Sequence, residues 1–120
     1  MRQLQINPKG RLVSTALNHN LGILTSVEQL GRFDMIYIYH HLKIGEELEL
    51  IRDHSNPFEP YGIDVFFKGF KVGVVSPRTN RLNSKLIDKG AEVKATVKGL
   101  SKQKYMPLEG LDIEIKALVD

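Results

Sequence analysis

From Arg32 onward the hydrophobic positions follow a rhythm of two more often than one of three or four. Ala91-Glu92-Val93-Lys94-Ala95-Thr96-Val97-Lys98 is the cleanest case, with alanine and valine on one side and charged or hydroxyl residues on the other. Successive strand side chains point to opposite faces, so this pattern predicts a half-buried strand. Glu47-Leu48-Glu49-Leu50 and Leu111-Asp112-Ile113-Glu114-Ile115-Lys116 repeat it. Met35-Ile36-Tyr37-Ile38-Tyr39 is β-branched and aromatic without a polar face, which predicts a strand buried on both sides or crossing a barrel.

Turn chemistry separates these runs. Lys43-Ile44-Gly45-Glu46 predicts a turn, and Lys68-Gly69 joins apolar runs over residues 62–67 and 70–75 as a tight hairpin. Residues 53–60 carry two prolines among Asp, Ser and Asn, which makes a loop. Thr79 or Asn80 is expected to cap a short helix with Leu82, Leu86 and Ile87 on one face, stopped by Gly90. Short strands, one helix and no parallel-sheet rhythm predict a mostly β, small, partly closed barrel over residues 31–120. Residues 1–30 read less clearly. Leu12, Val13, Ala16 and Leu17 have helical spacing, Asn18-His19-Asn20 and Gly22 break it, and Ile23 to Leu30 reads as a strand or a short helix. This segment is expected to pack on the barrel.

Composition narrows the class. A chain of 120 residues with 42% hydrophobic and 26% charged residues is one globular domain. It has no cysteine, hence no disulfide, thiolate metal site or cysteine nucleophile. No apolar run has membrane-span length and Met1-Arg2-Gln3-Leu4-Gln5 does not resemble a signal peptide, so the expected address is the cytoplasm, away from membranes.

The net charge of +3 is unevenly spread. Between Lys68 and Lys104 ten basic residues, among them Lys71, Arg78, Lys94 and Lys98, face only Asp88 and Glu92, a net +8. The remainder holds seven basic and twelve acidic residues, a net −5. Such a split predicts either a continuous surface for a polyanion or a solvated lysine face. Lys94 and Lys98, an even spacing apart, should share a strand face.

Catalytic signatures are missing. There is no phosphate-binding glycine loop, no Gly-x-Ser-x-Gly and no His-Glu-x-x-His. His40 and His41 are adjacent and would point to opposite faces of a strand, and His19 and His54 lie in loop-like stretches without ligand spacing. Glu46, Glu47 and Glu49 read as a wet strand face. Neither an enzyme nor a cofactor is expected. The segment Asn56-Pro57-Phe58-Glu59 stands apart, because it holds an amide, a ring and a carboxylate between rigid prolines. A ring can stack on a base, an amide can bond a phosphate or base edge, and a carboxylate can accept from a sugar hydroxyl.

An ordered series of features resembles the HIRAN domain. It runs from Tyr37 through Gly45-Glu46-Glu47-Leu48-Glu49-Leu50 to Arg52-Asp53-His54-Ser55-Asn56-Pro57-Phe58-Glu59, with Gly62-Ile63-Asp64-Val65 behind it. Gly69-Phe70-Lys71-Val72-Gly73, Pro77-Arg78-Thr79-Asn80 and Leu86-Ile87-Asp88-Lys89-Gly90 complete it. The resemblance implies a modified oligonucleotide-binding (OB-like) barrel with one or two short helices that grips the free 3′ end of single-stranded DNA. On that resemblance Tyr37 and Phe58 are the stacking rings, Asn56 supports the loop or bonds the end nucleotide, Glu59 receives the 3′-hydroxyl, and Arg78 meets a phosphate. Lys71, Lys94 and Lys98 would extend the basic groove. The family's Asn-Pro-Tyr-Asp is Asn-Pro-Phe-Glu here, its arginine before the first aromatic is Ile36, its aromatic or histidine after the second glycine is Val74, and Ser76 is inserted before the Pro-Arg pair. The expected function is single-stranded nucleic-acid binding, with a protein such as a helicase as a further partner. The alternative is a protein-interaction or regulatory adaptor that keeps the barrel without the pocket.

Overall fold

The computed structural model describes residues 22–101 and 110–118. Six antiparallel strands close into a barrel: β1 (Gly22–Glu28), β2 (Glu47–Arg52), β3 (Ile63–Phe67), β4 (Phe70–Val75), β5 (Glu92–Ser101) and β6 (Gly110–Leu118). Around the ring they run β1-β4-β3-β2-β5-β6. Closure leaves no open edge. The barrel is OB-like, as the resemblance implied. Alternation fills it: Ile63, Val65, Val72, Ala95, Val97, Ile113 and Ile115 all point inward and are buried. The expected strands at Glu47–Leu50, residues 91–98 and residues 111–116 are all present. Among the described residues no helix is long and apolar enough to cross a membrane.

The barrel starts earlier than the expected boundary at residue 31. Gly22–Glu28 is a strand that pairs with β6 on one side and, through Val27 and Glu28, with β4 on the other. Seven residues of the segment set apart at the N-terminus therefore contribute to ring closure, and residues 1–21 lie outside the described part.

The aromatic run 35–39 is not a strand. Met35–Ile38 is a short helix, α1, and His40 and His41 follow it in a turn. Met35, Ile38 and Leu42 are all buried, and their spacing of i, i+3 and i+7 is one face of a helix. Tertiary burial of that stripe overrides the β propensity of the Ile and Tyr residues between them. Asp34 stands at the N-cap position, but its carboxylate accepts the Lys71 backbone N–H at 3.1 Å, while the Asp34 N–H donates to the Lys71 carbonyl at 3.2 Å. These two bonds tie α1 to β4.

The second helix, α2 (Pro77–Asp88), begins earlier than predicted. Ser76 is the cap: its hydroxyl accepts the Arg78 N–H at 3.3 Å, and Pro77 sits at the first helical position, where its missing N–H costs nothing. The helix also turns a different face inward. Leu82 is 55% exposed, Leu86 and Ile87 are half-buried, and the fully covered side chains are Asn80, Asn83 and Ser84. The Asn83 amide donates to the Thr79 carbonyl at 3.1 Å and its oxygen has no partner among the described residues. At Lys68-Gly69 the hairpin is as predicted: φ is +49° and +89°, the two positive angles of a primed turn.

Candidate nucleic-acid interface

Between β2 and β3 the chain makes two successive proline-led turns. The Glu59 N–H donates to the Asn56 carbonyl at 3.1 Å, closing Asn56-Pro57-Phe58-Glu59. The Gly62 N–H donates to the Glu59 carbonyl at 3.1 Å, closing Glu59-Pro60-Tyr61-Gly62. Each proline occupies the second turn position, for which its fixed φ is preset. The Asn56 side chain braces the first turn by accepting the Phe58 N–H at 2.9 Å. Asp53 likewise accepts both the N–H and the hydroxyl of Ser55, at 2.9 and 2.5 Å. Those two bonds hold the Asp53 carboxyl below its ordinary pKa. Both turns are thus closed and the first is braced by a side chain, and Phe58 is left 88% exposed.

Beneath this loop lies a cavity of about 240 Å³, formed where the end of β1, the strands β3 and β4 and the start of α2 meet. Asn56, Glu59 and Lys71 from the expected site line it. Sequence reasoning missed the other polar residues of the wall: Glu28, Gln29, Asp53, Asp64 and Asn80. Only topology brings these together, since Gln29 is in a left-handed turn after β1 (φ +63°) and Asp64 stands opposite Val74 across the β3–β4 ladder. Pro77 closes one side, and Arg78 projects into solvent next to it.

The charge of the cavity is the reverse of the expected basic groove. Four carboxylates, Glu28, Asp53, Glu59 and Asp64, surround one ammonium, and Lys71 already pairs with Asp64 at 3.2 Å. A phosphate inside would meet net negative charge, whereas hydroxyl and amino donors would find acceptors.

Five expected residues do not line the cavity: Phe58 and Arg78 are exposed next to residues that do, and the other three lie elsewhere. Tyr37 is on α1 and does not line the cavity; its ring stands 6.4 Å from that of Phe70. Lys94 and Lys98 share the outer face of β5 as predicted, but β5 is three strands from β4 around a six-strand ring, on the wall opposite Lys71. Lys94 pairs with Glu47 at 3.1 Å and Lys98 with Glu114 at 3.4 Å. The basic segment is therefore divided between two sides of the barrel rather than continuous.

Comparison with known proteins decides the family. The HIRAN domain family matches residues 23–116, which is most of the chain and reaches all six strands. The chain belongs to the HIRAN domain family. This HIRAN domain is similar to the crystal structure of a protein from Lactobacillus plantarum, at 19% identity and a TM-score of 0.69, over 82% of this chain and 96% of that one. It is also similar to the HIRAN domain of human HLTF, at 16% identity and a TM-score of 0.62, over 80% of this chain and 74% of that one. Both likenesses are of fold. No curated protein matches the chain. HIRAN domains are associated with nucleic-acid binding.

Proposed function

We propose that this HIRAN domain binds single-stranded DNA at a free 3′ end, by stacking a base on Phe58 and placing the terminal sugar over the cavity, as a binding protein that works beside a helicase in the cytoplasm. One observation carries the reading: a phenyl ring 88% exposed on a hydrogen-bonded turn whose first and last residues, Asn56 and Glu59, line an acceptor-rich cavity. Exposing a phenylalanine on a braced turn contributes nothing to folding, and a rigid ring is what a stacked base requires. The excess of carboxylates favours a terminus that ends in a hydroxyl. Glu59 and Asn56 would meet that sugar, and Arg78 at the rim would meet the preceding phosphate.

The test is fluorescence anisotropy with one oligonucleotide carrying either a 3′-hydroxyl or a 3′-phosphate, at fixed salt. The hydroxyl end should bind more tightly, and Glu59→Ala should bring the two closer, because the carboxylate repels phosphate and accepts from the hydroxyl. Equal binding of both ends by the wild-type protein would remove the terminus from the proposal.

A second reading, a protein adaptor, is favoured by the pairing of Lys71, Lys94 and Lys98 with neighbouring carboxylates. A salt titration separates the two. A nucleic-acid binder loses affinity steeply as salt rises, and an adaptor has none to lose.

A further inference from the structure

Leu82 and Leu86 form an apolar row on α2 that the fold leaves uncovered. They are four residues apart, so their side chains lie one above the other on the helix. The helix packs on the barrel through Asn80, Asn83 and Ser84, and Ile87 is its residue that meets the apolar core. Leu82 therefore remains 55% exposed and Leu86 half-buried. Alongside runs a second row, Arg81, Lys85 and Lys89, also four apart and all exposed. Lys85 stands three residues from Leu82 and Lys89 three from Leu86, the spacing of neighbours on a helix surface. None of the three cations has a carboxylate partner among the described residues. Arg81 faces the Tyr61 ring, 5.6 Å from its centre, and the one acid of α2, Asp88, is held by Arg52. Polar residues turned inward and leucines outward invert the ordinary pattern of a surface helix. Such departures gather where a surface binds something.

We propose that this face of α2 docks an amphipathic acidic helix of a partner protein. The apolar side of that helix would cover Leu82 and Leu86, and its carboxylates would meet Arg81, Lys85 and Lys89. This face is separate from the Phe58 site: Pro77 and Asn80, at the start of α2, line the cavity, and the two rows run away from it toward Gly90. Charge and chemistry together select the occupant. Nucleic acid could use the cations but would leave the leucines bare. The amides of α2 that could read base edges, Asn80 and Asn83, are buried, and the ring beside the rows, Tyr61, is already engaged by Arg81. Residues 1–21 of this chain hold three basic residues and no acid, so the cation row would repel them. A second copy set face to face on a twofold axis would bring cations against cations. An acidic helix serves both rows, because an apolar seam flanked by ion pairs is how paired helices select each other.

Fluorescence anisotropy with two labelled helical peptides of equal negative charge tests this. One carries leucines four residues apart beside its glutamates, and the other has alanine in their place. The wild-type protein should bind the leucine peptide about tenfold more tightly, the order expected for burying one leucine. Leu82→Ser should abolish that difference. Arg81→Gln with Lys85→Gln should weaken both peptides and reduce their dependence on salt. Phe58→Ala should change neither. All of these substitutions alter exposed side chains, and circular dichroism checks that each variant is folded. Equal binding of the two peptides by the wild-type protein would reduce the face to a patch of charge and overturn the proposal. Tighter binding of a blunt DNA duplex than of the leucine peptide, lost with Arg81→Gln and Lys85→Gln, would assign the cations to phosphate and overturn it as well. So would failure of the wild-type protein to bind the leucine peptide, an outcome that leaves the Phe58 site untouched.

Discussion

Arg52 holds Asp88 with two hydrogen bonds, Nε to Oδ1 at 3.0 Å and an η-nitrogen to Oδ2 at 3.2 Å, and so ties the end of β2 to the last turn of α2. The same guanidinium donates to the carbonyls of Gly62 at 2.6 Å and Pro60 at 3.0 Å. One side chain, 8% exposed, thereby anchors the second proline-led turn to the helix that closes the cavity. Arginine suits this place because its planar fork can serve a carboxylate and two carbonyls at once. Its effect on binding would be indirect, through the position of the loop that bears Phe58.

Arg52→Ala and Asp88→Ala should therefore differ. The first leaves two carbonyls and a carboxylate without their donor and should cost about 1–3 kcal/mol of stability. The second leaves both carbonyl bonds intact, and its carboxylate is 45% exposed, so the loss should stay under about 1 kcal/mol. Urea unfolding of the two variants checks the order, and equal losses would mean that the ion pair, not the carbonyl bonds, carries the anchor.

Phe58→Ala should separate binding from folding. A ring in water contributes little to the core, so the melting temperature should stay within a degree or two, an effect under ~0.5 kcal/mol. Single-strand affinity should fall by about 1–3 kcal/mol, the range for one stacked base. Calorimetric melting and anisotropy on the same preparation give both numbers.

Gly73→Ala should damage the site from outside it. A Cβ at this position would collide with the Glu28 carbonyl oxygen and lie 2.8 Å from Val27 Cγ1, where β1 meets β4. Backbone cannot yield there without opening the strand pair that brings Glu28 and Gln29 to the cavity. The expected cost is about 1–3 kcal/mol, as for other overpacked cores. Amide exchange should be accelerated first at Val27, Glu28 and Val75.

Asp53 offers a prediction in pH. The two bonds from Ser55 favour its ionised form and lower the folded pKa from 3.8. A depressed carboxyl contributes stability that is present above the unfolded value and lost as pH falls through the folded one. The loop turn should thus be intact from neutral pH down to the ordinary aspartate range and weaken only below it. A carbon-detected titration should place the Asp53 midpoint below 3.8, and Ser55→Ala should move it back toward that value.

Lys94→Gln with Lys98→Gln should change the salt slope of single-strand binding little, since both lysines are paired and stand on the wall opposite Lys71. A drop as large as that from Arg78→Gln would return the β5 face to the interface.

Patterns confined to a few neighbouring residues were legible without coordinates. Alternation over residues 91–98 and 111–116, the Lys68-Gly69 turn and the twin prolines each depend on local backbone geometry, and each stands where the chain predicts it. The loop chemistry of Asn56-Pro57-Phe58-Glu59 was legible for the same reason, and so was the family. The helix at Met35–Ile38 was legible only in part. Its buried stripe at 35, 38 and 42 is written in the chain, but Ile36, Tyr37 and Tyr39 between argue the other way, and tertiary burial decides. What α2 buries was decided wholly by tertiary contact, because a short helix laid over a barrel end presents whichever face the closure permits, here Asn80, Asn83 and Ser84. The same holds for the charge of the site. A run of lysines in sequence becomes a surface only if the ring order sets its strands side by side, and here β4 and β5 stand opposite while Glu28, Asp53, Glu59 and Asp64, spread over 37 residues, converge on one cavity. Sequence determines which side chains exist and the local turns that hold them; the order in which six strands close decides which of them meet.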